Sequence, residues 1–317
     1  MIAIEQQRVS EIAEDVFAGL SGQPKSLPAK LFYDAAGSDL FEQITQLPEY
    51  YLTRAETEIL TRRAGDICHR AGLGLTVVEL GAGTAQKTRL LLQALSKRQL
   101  IVPYVPVDVC EPALREAADA LERDYPAVRV RPQVSDFSDL GFLRHTRAPR
   151  LVLYIGSSIG NFDPPDALAL MRRLRAELSE GDHLLLGTDL VKDRSVLVPA
   201  YDDAAGVTAR FNKNVLARIN RELGGQFDLD QFEHVARWNP EASRMEMYLR
   251  SRCDQTVRIA QLEMTVTFAA GELLHTENSH KYTVPGVRRM LSESGYALTH
   301  TWTDAREWYG VSLAKVV

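Results

Sequence analysis

Cysteine is scarce: 317 residues contain Cys68, Cys110 and Cys253 and no others. An odd number of widely separated thiols builds neither a disulfide framework nor a CxxC metal site, and suits a reducing compartment. Long apolar runs are also missing. None approaches the roughly 20 residues a membrane-spanning helix requires. The N-terminal stretch MIAIEQQRVSEIAEDVFAGL carries acids among its apolar residues, so no secretory signal is expected. Excess positive charge is lacking as well: 37 Lys and Arg against 42 Asp and Glu leave a net charge of -5. A nucleic-acid binder needs a concentrated basic face to neutralise phosphates, which argues against nucleic acid as a partner. The seven histidines show no metal-ligand spacing, and there is no GxSxG elbow for a nucleophilic serine. No heptad or apolar surface helix argues for assembly. A cytoplasmic monomer without metal, membrane or nucleic-acid partners is the expectation.

What is present is a regular alternation of strand-like and helical patterns from about residue 75. LTVVELG (75–81) leads into AQKTRLLLQALSK, LIVPYVPVDV (100–109) into EPALREAADALERDY, and LVLYIGSS (151–158) into DPPDALALMRRLRAELSEGD before HLLLGTDLV (183–191). Strands apolar on both faces and alternating with helices indicate a parallel sheet covered on both sides, a doubly wound, Rossmann-like α/β fold. Asp163 with Pro164 marks the start of one helix and Gly181 its stop. After Val191 the pattern changes. Met245, Met247 and Leu249 alternate with Glu246, Tyr248 and Arg250, and Met264, Val266 and Phe268 repeat the pattern, as in strands with one buried and one wet face. Residues 192–284 therefore read as an inserted α+β domain that binds substrate. Residues 61–191 and 285–317 form the core, and helical residues 1–60 are expected to pack with the insertion.

Directly after the first strand, Gly81-Ala82-Gly83 supplies a turn in which backbone can approach a ligand without an intervening Cβ. Asp108 ends the second strand, where a carboxylate can accept both hydroxyls of a ribose. Asp136-Phe137 follows the expected third strand, VRV, and offers an acceptor for an adenine amine beside an aromatic face. These positions lie at carboxyl ends of consecutive strands, the edge where open parallel sheets bind ligands. A dinucleotide is the rival. Gln86, however, stands where the third glycine of G-x-G-x-x-G belongs, and Lys87 is not part of a GKS/T loop. A nucleoside ligand without phosphates, S-adenosylmethionine, fits better than NAD or ATP.

Longer stretches carry a family resemblance. LPAKLFYDAAGSDLFEQITQLPEYYLTRAETEIL (27–60), VELGAGTAQKT (78–88), IGSSIGNF (155–162), NKNVLARINRELGGQFDLDQFEHVARWNPEASRMEMYLRS (212–251) and GELLHTENSHKY (271–282) resemble the histidine-specific Nα-methyltransferases of ergothioneine biosynthesis. The resemblance covers nearly the whole chain. It implies a class I methyltransferase core and successive Nα-methylation of L-histidine to the trimethylated betaine hercynine, with S-adenosylmethionine as donor and S-adenosylhomocysteine as product. It places Tyr33, Gly81, Lys87, Asp108, Asp136 and Phe137 around the cofactor. It places Tyr51, Gly156, Asn161, Tyr201, Met247, Glu277 and Ser279 around the substrate. One stretch departs from the family pattern: His280-Lys281-Tyr282 follows Ser279, at the outer wall of the expected pocket.

These residue types suit the chemistry. Displacement at a sulfonium methyl requires alignment of nitrogen, carbon and sulfur, and neither a nucleophilic side chain nor a metal. No general base is assigned; Asn161 and Tyr51 are expected to position the amine. Asn161 offers both an acceptor and a donor for the amino-acid head group, and Tyr201 a donor for its carboxylate. Glu277 can accept from an imidazole N–H while Ser279, two residues on, serves the other nitrogen if the segment is extended. Two other readings stay open: N-methylation of another small amine such as an indole amino acid, and a non-catalytic protein that binds S-adenosylmethionine.

Overall fold

The computed structural model describes residues 2–109, 111–135 and 139–317. Two compact units emerge, one of Met1–Tyr51 with Lys192–Ser279, the other of Leu52–Val191 with His280–Val317. In chain order the strands are β1 (Thr76–Leu80), β2 (Val102–Asp108), β3 (Val128–Val130), β4 (Gln133–Val134), β5 (Arg150–Tyr154), β6 (His183–Asp189), β7 (Phe232–Asn239), β8 (Arg244–Ser251), β9 (Gln255–Ile259), β10 (Met264–Phe268), β11 (Leu273–His280), β12 (Tyr296–Thr303) and β13 (Tyr309–Val316).

The second unit is built on an eight-stranded sheet in the order β12-β13-β6-β5-β1-β2-β3, with β4 also paired to β2. Strands β5, β1, β2 and β6 run parallel, and β13 and β12 are added antiparallel beyond β6. Every residue of β1, β5 and β6 is buried, which is why their sequences are dominated by apolar residues, with Glu79, Arg150 and Asp189 buried among them. This is the doubly wound Rossmann-like α/β fold read from the sequence. The helices Thr88–Ser96, Pro164–Ala176 and Val284–Glu293 bury Leu91, Leu92 and Leu95, then Leu170, Met171 and Leu174, then Val287 and Leu291. Such spacing of three and four residues presents one apolar stripe to a sheet.

Two local readings are corrected. The helix from Pro164 ends at Ala176, not at Gly181. Asp182 overrides the helical pattern: its carboxylate accepts from Ser179 N at 2.8 Å, Arg150 N at 2.7 Å and the Arg150 guanidinium, while Gly181 turns the chain at φ 93°. Asp163 occupies the N-cap position but makes no capping bond with its side chain; instead it pairs with His280 Nε2 at 2.9 Å.

The first unit holds the three-stranded sheet β11-β8-β7, the β9–β10 hairpin and the helices Ile2–Ser21, Ala35–Thr45, Arg194–Tyr201 and Val207–Leu223. Met245, Met247 and Leu249 are all buried, as the period-two pattern requires. Glu246, expected on the wet face, is buried too. It collects Asn239 Nδ2 at 2.9 Å, Arg244 Nε at 2.8 Å and Tyr248 Oη at 2.7 Å, which satisfies its charge under cover.

The unit boundaries fall elsewhere than the sequence reading put them. Position 60/61 lies inside the continuous helix Tyr51–Ala71, and the division falls at Tyr51/Leu52. The return falls at Ser279/His280 instead of 284/285. The reason is that Tyr282 already bonds the end of β6, donating to Asp189 O at 2.8 Å and accepting from Val191 N at 2.9 Å.

Candidate functional site

At the carboxyl end of β1 the chain turns on Gly81 at φ 72° and Gly83 at φ 49°, backbone conformations that favour glycine. Gly81 N and Ala82 N both donate to Val107 O, at 2.8 and 3.0 Å, fastening the turn to β2. Gly83 N donates to Asp108 Oδ2 at 3.0 Å. The glycine turn and the carboxylate at the end of the second strand, separate in the sequence, are thus one hydrogen-bonded assembly. A Cβ added at Gly83 would meet no atom within 4 Å, so the turn faces open space. Behind it, Glu79 accepts from Thr88 Oγ1 at 2.6 Å and from Tyr104 Oη, closing the loop of residues 80–87 at its base. Burial, the larger cause, pushes the Glu79 carboxyl up to about 7 against those two hydrogen bonds and the charge of Lys87.

After β5 the chain reverses through Gly156 at φ 80° and Ser157 at φ 61°, then forms a short 3-10 turn, Ser158–Asn161. A left-handed serine is uncommon, and here it is held: its Oγ accepts from Asp189 N and its carbonyl from Gly160 N, both at 2.9 Å. The departing stretch His280-Lys281-Tyr282 braces this loop. Lys281 pairs with Asp189 at 2.9 Å with both side chains fully buried, and Tyr282 Oη donates to Ile159 O at 3.2 Å. A Cβ at Gly160 would lie 2.9 Å from His280 O, so glycine there permits the close approach. Asn161 ends this braced turn, half-buried. Lys87, at the mouth of the β1 loop, and Gly156 meet one acid: Glu56 accepts from Lys87 Nζ and from Gly156 N.

The remaining expected residues lie in the first unit. Tyr201 closes the helix Arg194–Tyr201, and its hydroxyl shares a 2.7 Å hydrogen bond with Ser279 on β11. Its carbonyl accepts from His234 Nε2 at 2.7 Å. The tautomer follows from the neighbour, because Asn212 Nδ2 donates to His234 Nδ1 at 2.8 Å and to Tyr248 O at 3.0 Å. Burial, the main cause, lowers the His234 pKa and favours this neutral ring. Glu277 and Ser279 stand two residues apart on extended β11, both buried, and Met247 O on neighbouring β8 accepts from Thr276 Oγ1 at 3.1 Å. Tyr51 accepts from Lys192 Nζ at 2.8 Å, and the same ammonium lies 4.4 Å from the Tyr51 ring centroid. Tyr33, half-buried, stacks edge-on to Phe41 and Phe211. Asp136 and Phe137 lie outside the described residues, as does Cys110.

Residues 12–316 match the family described as histidine-specific, SAM-dependent methyltransferases. The chain belongs to this family. It is 51% identical over 304 residues to a histidine N-alpha-methyltransferase of Mycolicibacterium smegmatis, covering 96% of this chain and 94% of that one. A histidine N-alpha-methyltransferase of Mycobacterium tuberculosis is 47% identical over 307 residues, with 96% and 94% covered. Ergothioneine biosynthesis protein 1 of Schizosaccharomyces pombe is 31% identical over 283 residues, which are 86% of this chain and 36% of that protein.

The residues of this SAM-dependent methyltransferase fit its cofactor. Gly83 turns at a positive φ that favours glycine and faces open space, and Asp108 stands beside it with a carboxylate suited to a ribose diol. The cofactor supplies the electrophilic methyl. The protein supplies the hold on each reactant. Among the described residues no His, Cys, Asp or Glu cluster could hold a metal ion, and no helix is long and apolar enough to cross a membrane. Sequence reasoning missed Glu56, Lys192 and the His234–Asn212 pair. Only Glu56 left a signal: on its helix it interrupts the buried stripe Leu52, Ala55, Ile59 and Leu60, and an acid on a buried stripe needs partners.

Proposed function

We propose that this methyltransferase transfers methyl groups from S-adenosylmethionine to the α-amine of L-histidine, in successive rounds ending at hercynine, the trimethylated betaine of ergothioneine biosynthesis. The observation that carries the reading is 51% identity along nearly the full length of a histidine N-alpha-methyltransferase. The arrangement within each unit supports it, and the residue roles follow the family resemblance. Asp108, Gly81, Lys87 and Tyr33 are assigned to the cofactor, with Asp136 and Phe137 for the adenine. Gly156 and Asn161 on the braced loop take the amino-acid head group, and Asn161 can serve both amine and carboxylate. Tyr51 positions the amine with Lys192 fixing its hydroxyl. A free amino acid is mostly ammonium at neutral pH, and transfer to a desolvated site favours the neutral amine that attacks. Glu277 takes one imidazole N–H. The Ser279 hydroxyl, oriented by Tyr201, serves the second nitrogen, and Met247 forms a flexible apolar wall. The enzyme is inferred to act as a cytoplasmic monomer on a free small molecule.

The deciding experiment supplies L-histidine and S-adenosylmethionine together and follows the product by mass spectrometry. Successive increments of one CH2 each, ending at the betaine, are expected. No increment on histidine, with increments on tryptophan or another amino acid, would overturn the assignment.

A further inference from the structure

We propose that Glu56 is a positioning residue that holds the cofactor lysine Lys87 and the substrate glycine Gly156 on a single buried carboxylate; this rests on the methyltransferase reading of the site. The side chain is 1% exposed. Its Oε2 accepts from Lys87 Nζ; Gly156 N donates to Oε1 at 2.9 Å and to Oε2 at 3.1 Å; Tyr309 Oη donates to Oε1 at 2.8 Å. The donors come from the loop after β1, the loop after β5 and strand β13. Room for this convergence is made by Gly187 of β6, where a Cβ would fall 2.4 Å from Glu56 Oε1 and 2.6 Å from Tyr309 Oη. Lys87 Nζ also borders Gly156, where an added Cβ would fall 3.5 Å from it.

The physical consequence is that one acid sets two positions. A lysine has a long stem with much rotamer freedom, and a fixed anion turns it from a mobile charge into a defined contact. The same anion ties down the N–H of Gly156, whose left-handed backbone otherwise depends on the reversal after β5. Glu56 also neutralises the Lys87 charge, beside which a sulfonium and an amine that becomes a fixed cation on trimethylation would be repelled. Glu56 itself is assigned no contact with either reactant. It acts through Lys87 and Gly156.

The test uses the whole chain with the variants Glu56→Gln, Glu56→Asp and Leu291→Ala. Calorimetry measures S-adenosylhomocysteine affinity, steady-state kinetics give KM and kcat for histidine, and melting temperature reports folding. Glu56→Gln puts an amide donor against the lysine ammonium. The Kd for S-adenosylhomocysteine should then rise on the order of ten- to a hundredfold, the range for loss of a charge-assisted hydrogen bond. Histidine KM should rise more than kcat falls, because a binding loop is loosened. Glu56→Asp keeps the charge but withdraws it by one CH2, so it should show the same pattern with smaller losses. Should the glutamine variant not fold, the aspartate variant decides. Leu291→Ala opens a cavity in the core of the second unit, on the helix Val284–Glu293, which carries none of the residues assigned to the site; it should lower the melting temperature yet leave cofactor affinity intact. Wild-type affinity and KM in the folded Glu56 variants would overturn the proposal, as would losses in Leu291→Ala that match theirs at equal melting temperature. If the unaltered enzyme binds S-adenosylhomocysteine but does not methylate histidine, the substrate assignment fails on its own. The affinity arm still decides whether Glu56 sets Lys87.

Discussion

Removing Glu277 tests the ring-reading assignment, and the size of the loss depends on the charge of the bound ring. Glu277 is 9% exposed and lies on β11 two residues before Ser279. If histidine binds with a neutral ring, the carboxylate accepts one N–H, and a hydrogen bond to a charged acceptor contributes about 1.5–3 kcal/mol, roughly ten- to a hundredfold in affinity. If it binds as imidazolium, truncating one partner of a desolvated charge pair costs about 2–5 kcal/mol, reaching about a thousandfold or more. At neutral pH a ring with a pKa near 6.5 is mostly uncharged, so the smaller range is the expectation for Glu277→Ala. Because Glu277 is assigned to the ring and not to the reacting amine, the loss should fall mainly on KM, with kcat less affected. Glu277→Gln keeps the shape while removing the charge, and its amide NH2 competes with the ring N–H. The assay is steady-state methylation of histidine at saturating S-adenosylmethionine, repeated across the pH range of the ring. An unchanged histidine KM in Glu277→Ala would refute the reasoning, since other groups would then read the imidazole.

Asp108→Ala should weaken S-adenosylhomocysteine binding measured by calorimetry by about tenfold or more, because it removes the charged acceptor proposed for the ribose and releases Gly83 N; unchanged affinity would remove Asp108 from the site. Glu79 gives a pH signature. Its carboxyl is pushed up to about 7 in the fold from an ordinary value of 4.5, so the folded state favours the protonated form and the penalty for ionising it grows as pH rises from 4.5 to 7, standing in full above 7. Glu79→Gln mimics the protonated form, so its melting temperature relative to wild type should rise between pH 5.5 and 8. A difference that does not vary with pH would contradict the assignment.

The fold was legible where burial leaves a mark on residue type. β1, β5 and β6 are covered on both faces, which favours mostly apolar stretches, and stretches this short between helical patterns fit buried parallel strands better than helices. The ends of elements were not legible, because distant groups set them. The helix from Pro164 stops at Ala176 because Asp182, tied to Arg150, organises the following turn. Asp163 stands at a cap position and spends its carboxylate on His280, 117 positions away in the chain. Local pattern rules assume that a polar side chain serves its own neighbourhood, and both residues depart from that assumption.

The same distinction governs the site. Gly81 and Gly83 could be singled out because a tight turn after a strand favours glycine, a constraint written into residue type; Gly156 came from the family resemblance, and its left-handed backbone emerged only in the fold. Glu277 and Ser279 were implied by the family resemblance, and the period of a strand, which puts alternate residues on one face, only made the pair physically coherent. Glu56 was not legible: its donors lie 31, 100 and 253 positions away, and nothing local separates it from Glu58, the other glutamate of its helix, except an apolar stripe around it. Lys192 was equally hidden, 141 positions from the Tyr51 hydroxyl it holds. Of the residues assigned to contact a ligand, the glycine turn and the strand-end carboxylates were marked by local pattern, and the rest by the family resemblance. Those that position them are defined by partners the chain brings together only on folding. A buried acid on an apolar helix face is the one local trace such residues leave, and in this chain it leads to the carboxylate that joins Lys87 to Gly156.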